Sequence, residues 1–568
     1  MEKIIVVDVA QDLDLPRWGL YTDRHDVAVA LACFQGLINR QDSTTKVFLK
    51  DMPVRLFWNM ADGGPGGSPD DILIEEMERE VPVEQAELDR RMTLPALSWL
   101  LENYGHLVRG TVEMPSIAKM GWKLDGASET TDTELFEEAE LFFAKRAAAL
   151  NTAIFNDLIP IAGLTNLTIG KREAYYFERN FLPNFETAAE ALEWSFENYF
   201  DDPRRNQQLI GVVNENCQNP PHMWDYWYAT YTFVVGYMLP RGSADLPELP
   251  EPARFLEETV FPKYPPGTLA FGEIEGSRLI PHMQANGFQI QEGPVPNLSA
   301  LSAFEPGPDW FLPAPEPEVL DVDPDGIYIA WNTIDGDAND IALMTIKGLA
   351  ADPARGEVKM GVRYNPFFID LNPLLIRWLT ELSPENIDLI PSPHDGGIPG
   401  PAEAAQGYKR DYEYAHRAGN EQFQVYNFFG DVPGPEGDQW HELMKGLNPL
   451  LCIRGYQGGK GDESVMKWQL VDDTLYSSQI GWGRWVPEDF VGAFRKSILE
   501  KKPGEPLFLI FKSPCEFGVR AWTMIKDYQQ TLLDDPELQD VGNLNFVLPR
   551  DLAATVKSFM QEKGVTEL

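Results

Sequence analysis

Apolar positions along the chain recur with two different periods, and each change of period marks an element. Ile4–Val9 reads as a strand, Asp26–Ile38 has helical spacing, and Lys46–Leu49 gives the next strand, a βαβ opening. Residues 62–71, with four Gly and two Pro, read as a loop. Glu75–Leu101 and Thr133–Leu150 are expected to be helices. Ile154–Ile161 and Leu209–Val213 are expected strands, with the helix Ala188–Tyr199 between them. Further on the alternation becomes regular. Strand-like runs occur at Thr268–Phe271, Ile327–Ala330, Lys359–Val362, Ile387–Ile390, Gln424–Phe429, Pro449–Ile453, Leu507–Phe511 and Asn545–Leu548. Helical runs separate most of them, at 277–286, 341–349, 373–382, 439–445, 488–500, 519–533 and 552–563. Alternation of this kind predicts an α/β fold with a parallel sheet under helical cover, and about eight repeats favour a (β/α) barrel-like domain.

This pattern divides the chain into an N-terminal α/β domain over 1–150, a second α/β subdomain over 151–250, and a barrel-like catalytic domain over 251–568. The Pro-rich polar stretch Arg241–Arg254 is the expected linker. Just before it, 222–237 is rich in Trp and Tyr; such rings stack on sugars, although a core helix or an interdomain interface explains them slightly better.

Gly326–Asp340 concentrates polar chemistry. The uncharged run Ile327–Ile334 reads as a buried strand, and Asp335, Asp337, Asn339 and Asp340 follow it at once. One Asp there would only cap the next helix, but several beside a tight-turn Gly point to a site delivered by a strand end.

Charge narrows the partners. Against 47 basic side chains stand 88 acidic ones, a net charge of -41, which argues against nucleic acid and anionic membranes. Cys33, Cys217, Cys452 and Cys515 have neither CxxC nor metal-ligand spacing. The most apolar stretch, Tyr228–Leu239, is about half the length that crosses a bilayer. As given, the chain reads as a soluble, cytoplasmic protein, and a removed secretory signal replaced by Met1 would look the same. Its oligomeric state is not legible.

Several ordered segments carry a resemblance. Phe34-Gln-Gly-Leu-Ile-Asn-Arg40, Pro266-Gly-Thr-Leu-Ala-Phe-Gly272, Asn297-Leu-Ser299, Tyr328–Asp337, Asn365–Pro373 and Phe546–Asp551 resemble, in order, elements of the glycoside hydrolase family named for a Gly-x-Gly-Tyr-x-Tyr-Pro (GxGYxYP) motif. The name-giving motif itself is altered. In 395–401, Gly397 and Pro401 fit, Asp395 takes the first Gly position, and Ile398 and Gly400 replace the tyrosines. Ala338 is inserted before Asn339 in the segment that resembles the family's Asp-Gly-Asp-Asn. The resemblance implies an N-terminal α/β region, a barrel-like catalytic domain, an oligo- or polysaccharide substrate, and export.

Glycoside hydrolysis takes two carboxyls across the scissile bond, one acid and one base or nucleophile. The strand-end candidates are Asp335 and Asp337, paired with Glu275 or Asp395. Glu273, Trp331, His394, Arg454 and Glu516 are the candidate substrate contacts: carboxylates for hydroxyls, an aromatic face, an imidazole, and a guanidinium suited to a carboxylate. Asp335-x-Asp337-x-Asn339 starts like a calcium loop but has Asp340 at position six and Ile346 at position twelve, so an EF-hand is excluded. An irregular site for a divalent cation such as Ca²⁺ stays open; no other cofactor is implied. Neither HExxH nor GxSxG occurs. The expectation is therefore a carbohydrate-active enzyme, a glycoside hydrolase. The alternatives are a non-catalytic carbohydrate-binding protein on the same fold and a divalent-metal-dependent carbohydrate enzyme.

Overall fold

The computed structural model describes all residues except 15–22, 53–68, 121–129, 131, 163–178, 215–222, 240–248, 273–281, 284–285, 293–294, 308, 334–347, 383–384, 392–408, 410–411, 420–423, 428–440, 443–444, 455–466, 479–491, 493–494 and 513–520. The chain divides into two compact units, Met1–Glu305 and Pro306–Leu568. The break thus falls after Glu305, where the apolar pattern set boundaries near 150 and 250.

Unit 1 holds three sheets, parallel at every described pairing. The strands are β1 (Lys3–Asp8), β2 (Thr45–Lys50), β3 (Val83–Gln85), β4 (Gly110–Met114), β5 (Leu158–Ala162), β6 (Arg179–Asn180), β7 (Leu209–Val213), β8 (Phe233–Gly236), β9 (Leu269–Gly272) and β10 (Gln289–Glu292). Their orders are β2-β1-β3, β5-β4-β6 and β10-β9-β7-β8. β5, β7 and β8 are buried at every position, as expected of parallel strands covered on both faces.

Two helices organise this unit. The helix Asp23–Gln41 packs on β2, on β5 and on the short helix Trp224–Ala229. Gly36 sets that last approach, because a Cβ there would lie 2.2 Å from the carbonyl oxygen of Asp225. The helix Thr133–Asn156 begins at Asp132, whose carboxylate accepts the N–H groups of Glu134 and Leu135, and ends at Asp157 in a left-handed conformation. It lies against β4, β5 and β8, where Asn151 exchanges two 2.8 Å hydrogen bonds with the backbone of Val234.

Two sequence expectations change here. The run 75–101 is two helices, Asp70–Glu78 and Pro95–Tyr104, with β3 between them. Pro82 and Pro95 interrupt the helical spacing, and pairing with β1 draws Val83–Gln85 into the sheet. The strand expected at 154–161 starts only at Leu158, because the preceding helix runs on to Asn156. The aromatic run is core: Trp224, Trp227, Tyr228, Phe233 and Tyr237 are all buried. Most of the expected linker lies outside the described residues, as do most of the expected helices at 277–286, 341–349 and 439–445 and residues 488–491 and 493–494 of the one at 488–500.

Unit 2 contains β11 (Gly326–Asn332), β12 (Met360–Tyr364), β13 (Ile387–Pro391), β14 (Gln424–Asn427), β15 (Leu451–Arg454), β16 (Trp468–Val471), β17 (Thr474–Ser477), β18 (Leu507–Lys512) and β19 (Asn543–Val547). One sheet runs β13-β12-β11-β18 with β19 also on β11, and a second runs β14-β15-β17-β16. Only β16–β17 pair antiparallel among the described ladders. These ladders form two sheets rather than one continuous ring, but they share a core. Tyr328 and Ala330 of β11, Ile453 of β15, Trp468 of β16 and Ile510 of β18 meet Leu552, Val556 and Met560 of the helix Pro549–Lys563. The Trp468 indole N–H donates to the Phe508 carbonyl at 3.0 Å across the two sheets. On the opposite face of β11, Trp331 packs against the helix Ala521–Leu533 through Tyr528. This is a mixed α/β fold built mostly on parallel sheets.

Candidate functional site

β18, β11, β12 and β13 run parallel, so their carboxyl ends open at one edge of the sheet, the edge at which α/β proteins present their ligands. That edge is unusually polar for a buried region. Asn332, Thr333, Arg363 and Asn365 are each no more than 2% exposed. β11 and β12 meet at Asn332 and Gly361. A side chain at 361 would be blocked, since a Cβ there would lie 2.3 Å from Asn332 Oδ1. The glycine thus makes room for the asparagine.

Beyond this point the strands are tied by side chains. Thr333 N–H donates to the Gly361 carbonyl at 2.9 Å, and Thr333 Oγ1 accepts from Arg363 N–H at 2.8 Å. Asn365 Oδ1 accepts the Phe367 N–H at 3.0 Å, closing the turn after β12. Asn372 Oδ1 accepts from Leu375 N–H at 3.3 Å at the start of the helix Pro373–Leu382. Asn332 is different: neither its amide oxygen nor its amide nitrogen has a hydrogen-bond partner among the described residues. A buried amide in that state costs about 1–3 kcal/mol, so its retention needs a reason other than stability.

The residues singled out from sequence lie beyond these strand ends. Asp335, Asp337 and Asn339 follow Thr333, His394 and Asp395 follow Pro391, and Glu516 follows Lys512; all six are outside the described residues. Glu273 and Glu275 are outside them too. They follow β9, however, which pairs with β7 and β10 in unit 1 rather than with any strand of unit 2. The sequence had assigned that strand to the barrel-like domain, and its ladders assign it elsewhere. Arg454 is the last residue of β15, opposite Asn427 of β14. Trp331 is fully buried, stacked on Tyr528 at 6.0 Å and edge-on to Phe511 at 5.3 Å, so protein covers both faces of the ring in this structure. Among the described residues, no group of three His, Cys, Asp or Glu is placed to hold a metal ion.

Several sequence signposts have structural work in unit 1. Gln35 Nε2 donates to Asn297 Oδ1 at 2.7 Å, and Asn39 Nδ2 donates to Ser299 Oγ at 2.8 Å. The Asn297 side chain also takes up the N–H and C=O of Leu49 on β2. Asp225 accepts the Ser299 N–H at 2.7 Å, and burial pushes its carboxyl up to about 6. Arg40 reaches the carbonyls of Ile154 and Tyr228, at the carboxyl ends of two helices, and pairs with Asp157 at 2.6 Å. Sequence reasoning attached Phe34–Arg40 and Asn297–Ser299 to a family pattern and did not see that they bind each other. Their spacing in the chain hides the contact. Asn332 was missed because it sits inside a run read simply as a buried strand, and Arg363 because it follows the expected strand Lys359–Val362; only the pairing of β11 with β12 brings them to one edge.

The chain is similar to a crystal structure from Bacteroides thetaiotaomicron VPI-5482 described as a "putative hydrolase", with a TM-score of 0.68 and 14% identity, covering 98% of this chain and 95% of that one. At that identity the likeness shows the fold alone. A structure from Mycobacterium smegmatis described as a "putative polysaccharide deacetylase" aligns with a TM-score of 0.31 and 10% identity, over 45% of this chain and 96% of that one, a level that carries no argument. No family model and no curated protein matches the chain. Among the described residues, no helix is long and apolar enough to cross a membrane.

Proposed function

We propose that this protein is a carbohydrate-active hydrolase of the GxGYxYP glycoside hydrolase type, acting at the carboxyl edge of the β18-β11-β12-β13 sheet. The supporting observation is the buried polar edge at β11 and β12, where the amide of Asn332, unpartnered among the described residues, belongs to the residue three before Asp335 in sequence. β13, which leads to Asp395, belongs to the same parallel sheet as β11, whereas β9, which leads to Glu275, does not. This favours Asp395 over Glu275 as the partner of Asp335 or Asp337. In this reading one carboxyl protonates the leaving oxygen and the other, ionised, serves as base or nucleophile. Asn332 would hydrogen-bond a substrate hydroxyl through both amide atoms.

The altered motif around Asp395 favours a second reading, a non-catalytic sugar-binding protein on the same fold. A glycan hydrolysis screen of wild type against Asp335→Asn, Asp337→Asn and Asp395→Asn, with and without EDTA, separates the readings. Turnover that the variants abolish and EDTA leaves intact supports carboxylate-driven hydrolysis. Loss on chelation, restored by Ca²⁺, supports a metal-dependent enzyme. Glycan binding without turnover supports the sugar-binding protein, and neither binding nor turnover overturns the carbohydrate reading.

A further inference from the structure

Unit 1 holds a cavity of about 530 Å³ beside the start of the helix Thr133–Asn156, bounded also by the start of the helix Ala188–Ser195 and by Pro250–Pro252. A space of that size suits a small organic ligand. Its polar lining is acidic. Asp132, Glu137, Glu186 and Glu251 stand exposed at its rim, and Glu140 is buried in its wall at 8% exposure. Among the described residues, no Lys, Arg or His lines it. Phe136, Leu141 and Pro252 supply apolar surface.

Two observations decide the sign of a ligand. Helix starts ordinarily attract anions, each end carrying about half a positive charge. Here several of the donors at the two helix starts are already engaged. Asp132 accepts from Glu134 and Leu135, Thr187 Oγ1 accepts from Glu190 N–H at 3.2 Å, and Glu190 reaches back to Glu186 N–H at 2.7 Å. Carboxylates outnumber what remains of the dipoles, so an anion is repelled. The second observation is Glu140 itself, whose Oε1 is buried and has no hydrogen-bond partner among the described residues. An acceptor without a donor, on the wall of an acid-rimmed cavity, calls for a donor that brings positive charge.

We propose that this cavity binds a primary ammonium carried on a short apolar chain, with the ammonium donating to Glu140 and the chain lying on Phe136 and Leu141. A divalent metal fits less well, because it takes six or more oxygen ligands and none of the described acids forms a group suited to hold one. The site is independent of the sheet edge in unit 2, and its test uses no glycan.

n-Hexylammonium chloride and sodium hexanoate are titrated calorimetrically into the full chain at neutral pH. The expected result is saturable binding of hexylammonium, none of hexanoate, and affinity at least about tenfold weaker in Glu140→Gln. Burial and the neighbouring Glu137 raise the Glu140 carboxyl to about 7, and Asp132, Glu186 and Glu251 also face the cavity. Cation binding near pH 7 should therefore release protons, read as a heat that changes with buffer ionisation enthalpy. Should Glu140→Gln fail to fold, the exposed Glu137→Gln variant and salt take its place. Binding should weaken by roughly threefold in the variant and fall as salt rises. Hexanoate binding as tightly as hexylammonium, unchanged affinity in the variants, or no hexylammonium binding up to about 10 mM overturns the proposal.

Discussion

Single side chains carry sharply different roles in the two units. Arg40 is buried, serves two helix ends and pairs with a carboxylate that is itself buried. Truncation would leave buried Asp157 only the exposed Arg109, 3.3 Å away, so Arg40→Ala is expected to lose on the order of 2–3 kcal/mol in urea unfolding. Arg40→Lys should recover little of it, because an ammonium cannot span three acceptors in the guanidinium's fork. Asn332 should behave in the opposite way. With no hydrogen bond to lose among the described residues, Asn332→Leu is expected to keep or raise the melting temperature while abolishing any glycan turnover or binding. A fall in stability with function intact would remove Asn332 from the site. Glu140 adds a pH signature. A carboxyl whose folded pKa is raised leaves stability untouched below its unfolded value, near 4.5, and costs stability as pH rises through about 7. Glu140→Gln should thus match wild type near pH 4.5 and be the more stable near pH 8 in thermal melts.

Elements differ in how legible they were. Ile4–Val9, Leu209–Val213, Ile327–Ala330 and Leu507–Phe511 stand out because parallel strands covered on both faces are continuously apolar, and all four are strands. Gly110–Met114 and Gln289–Glu292 carry polar residues and are strands only because β5 and β9 offer them a ladder, which no local pattern announces. Of the candidate site only the strand ends fall within the described residues. The strand ends were in view, and the carboxylates beyond them were named from sequence. The buried polar edge at Asn332 and Arg363 depends on β12 lying beside β11, and so had no sequence signal. The Gly36 contact tests element packing directly. Its obstacle is backbone, which cannot rotate away, so Gly36→Ala should cost about 1–3 kcal/mol in chemical denaturation despite the higher helix propensity of Ala.

Over the whole molecule, charge and buried acids act together. Asp12, Asp26 and Asp225 are each pushed up to about 6 by burial, and the chain carries a net charge of -41. Both effects weaken the fold as pH rises from 5 to 8: the buried carboxyls must ionise, and mutual repulsion grows. The melting temperature should fall over that range, and added salt should recover the part due to repulsion. The pairing of Gln35 with Asn297 has a consequence in time. Its two members are separated by 262 residues, so at about 5–20 residues per second a ribosome needs roughly 13 to 50 s to supply the second after the first. Through that interval the nascent chain holds Gln35 and Asn39 on a largely apolar helix without Asn297 and Ser299. Unit 1 completes this tie only once its last segment has emerged. Until then it is the natural client of whatever shields unfinished chains.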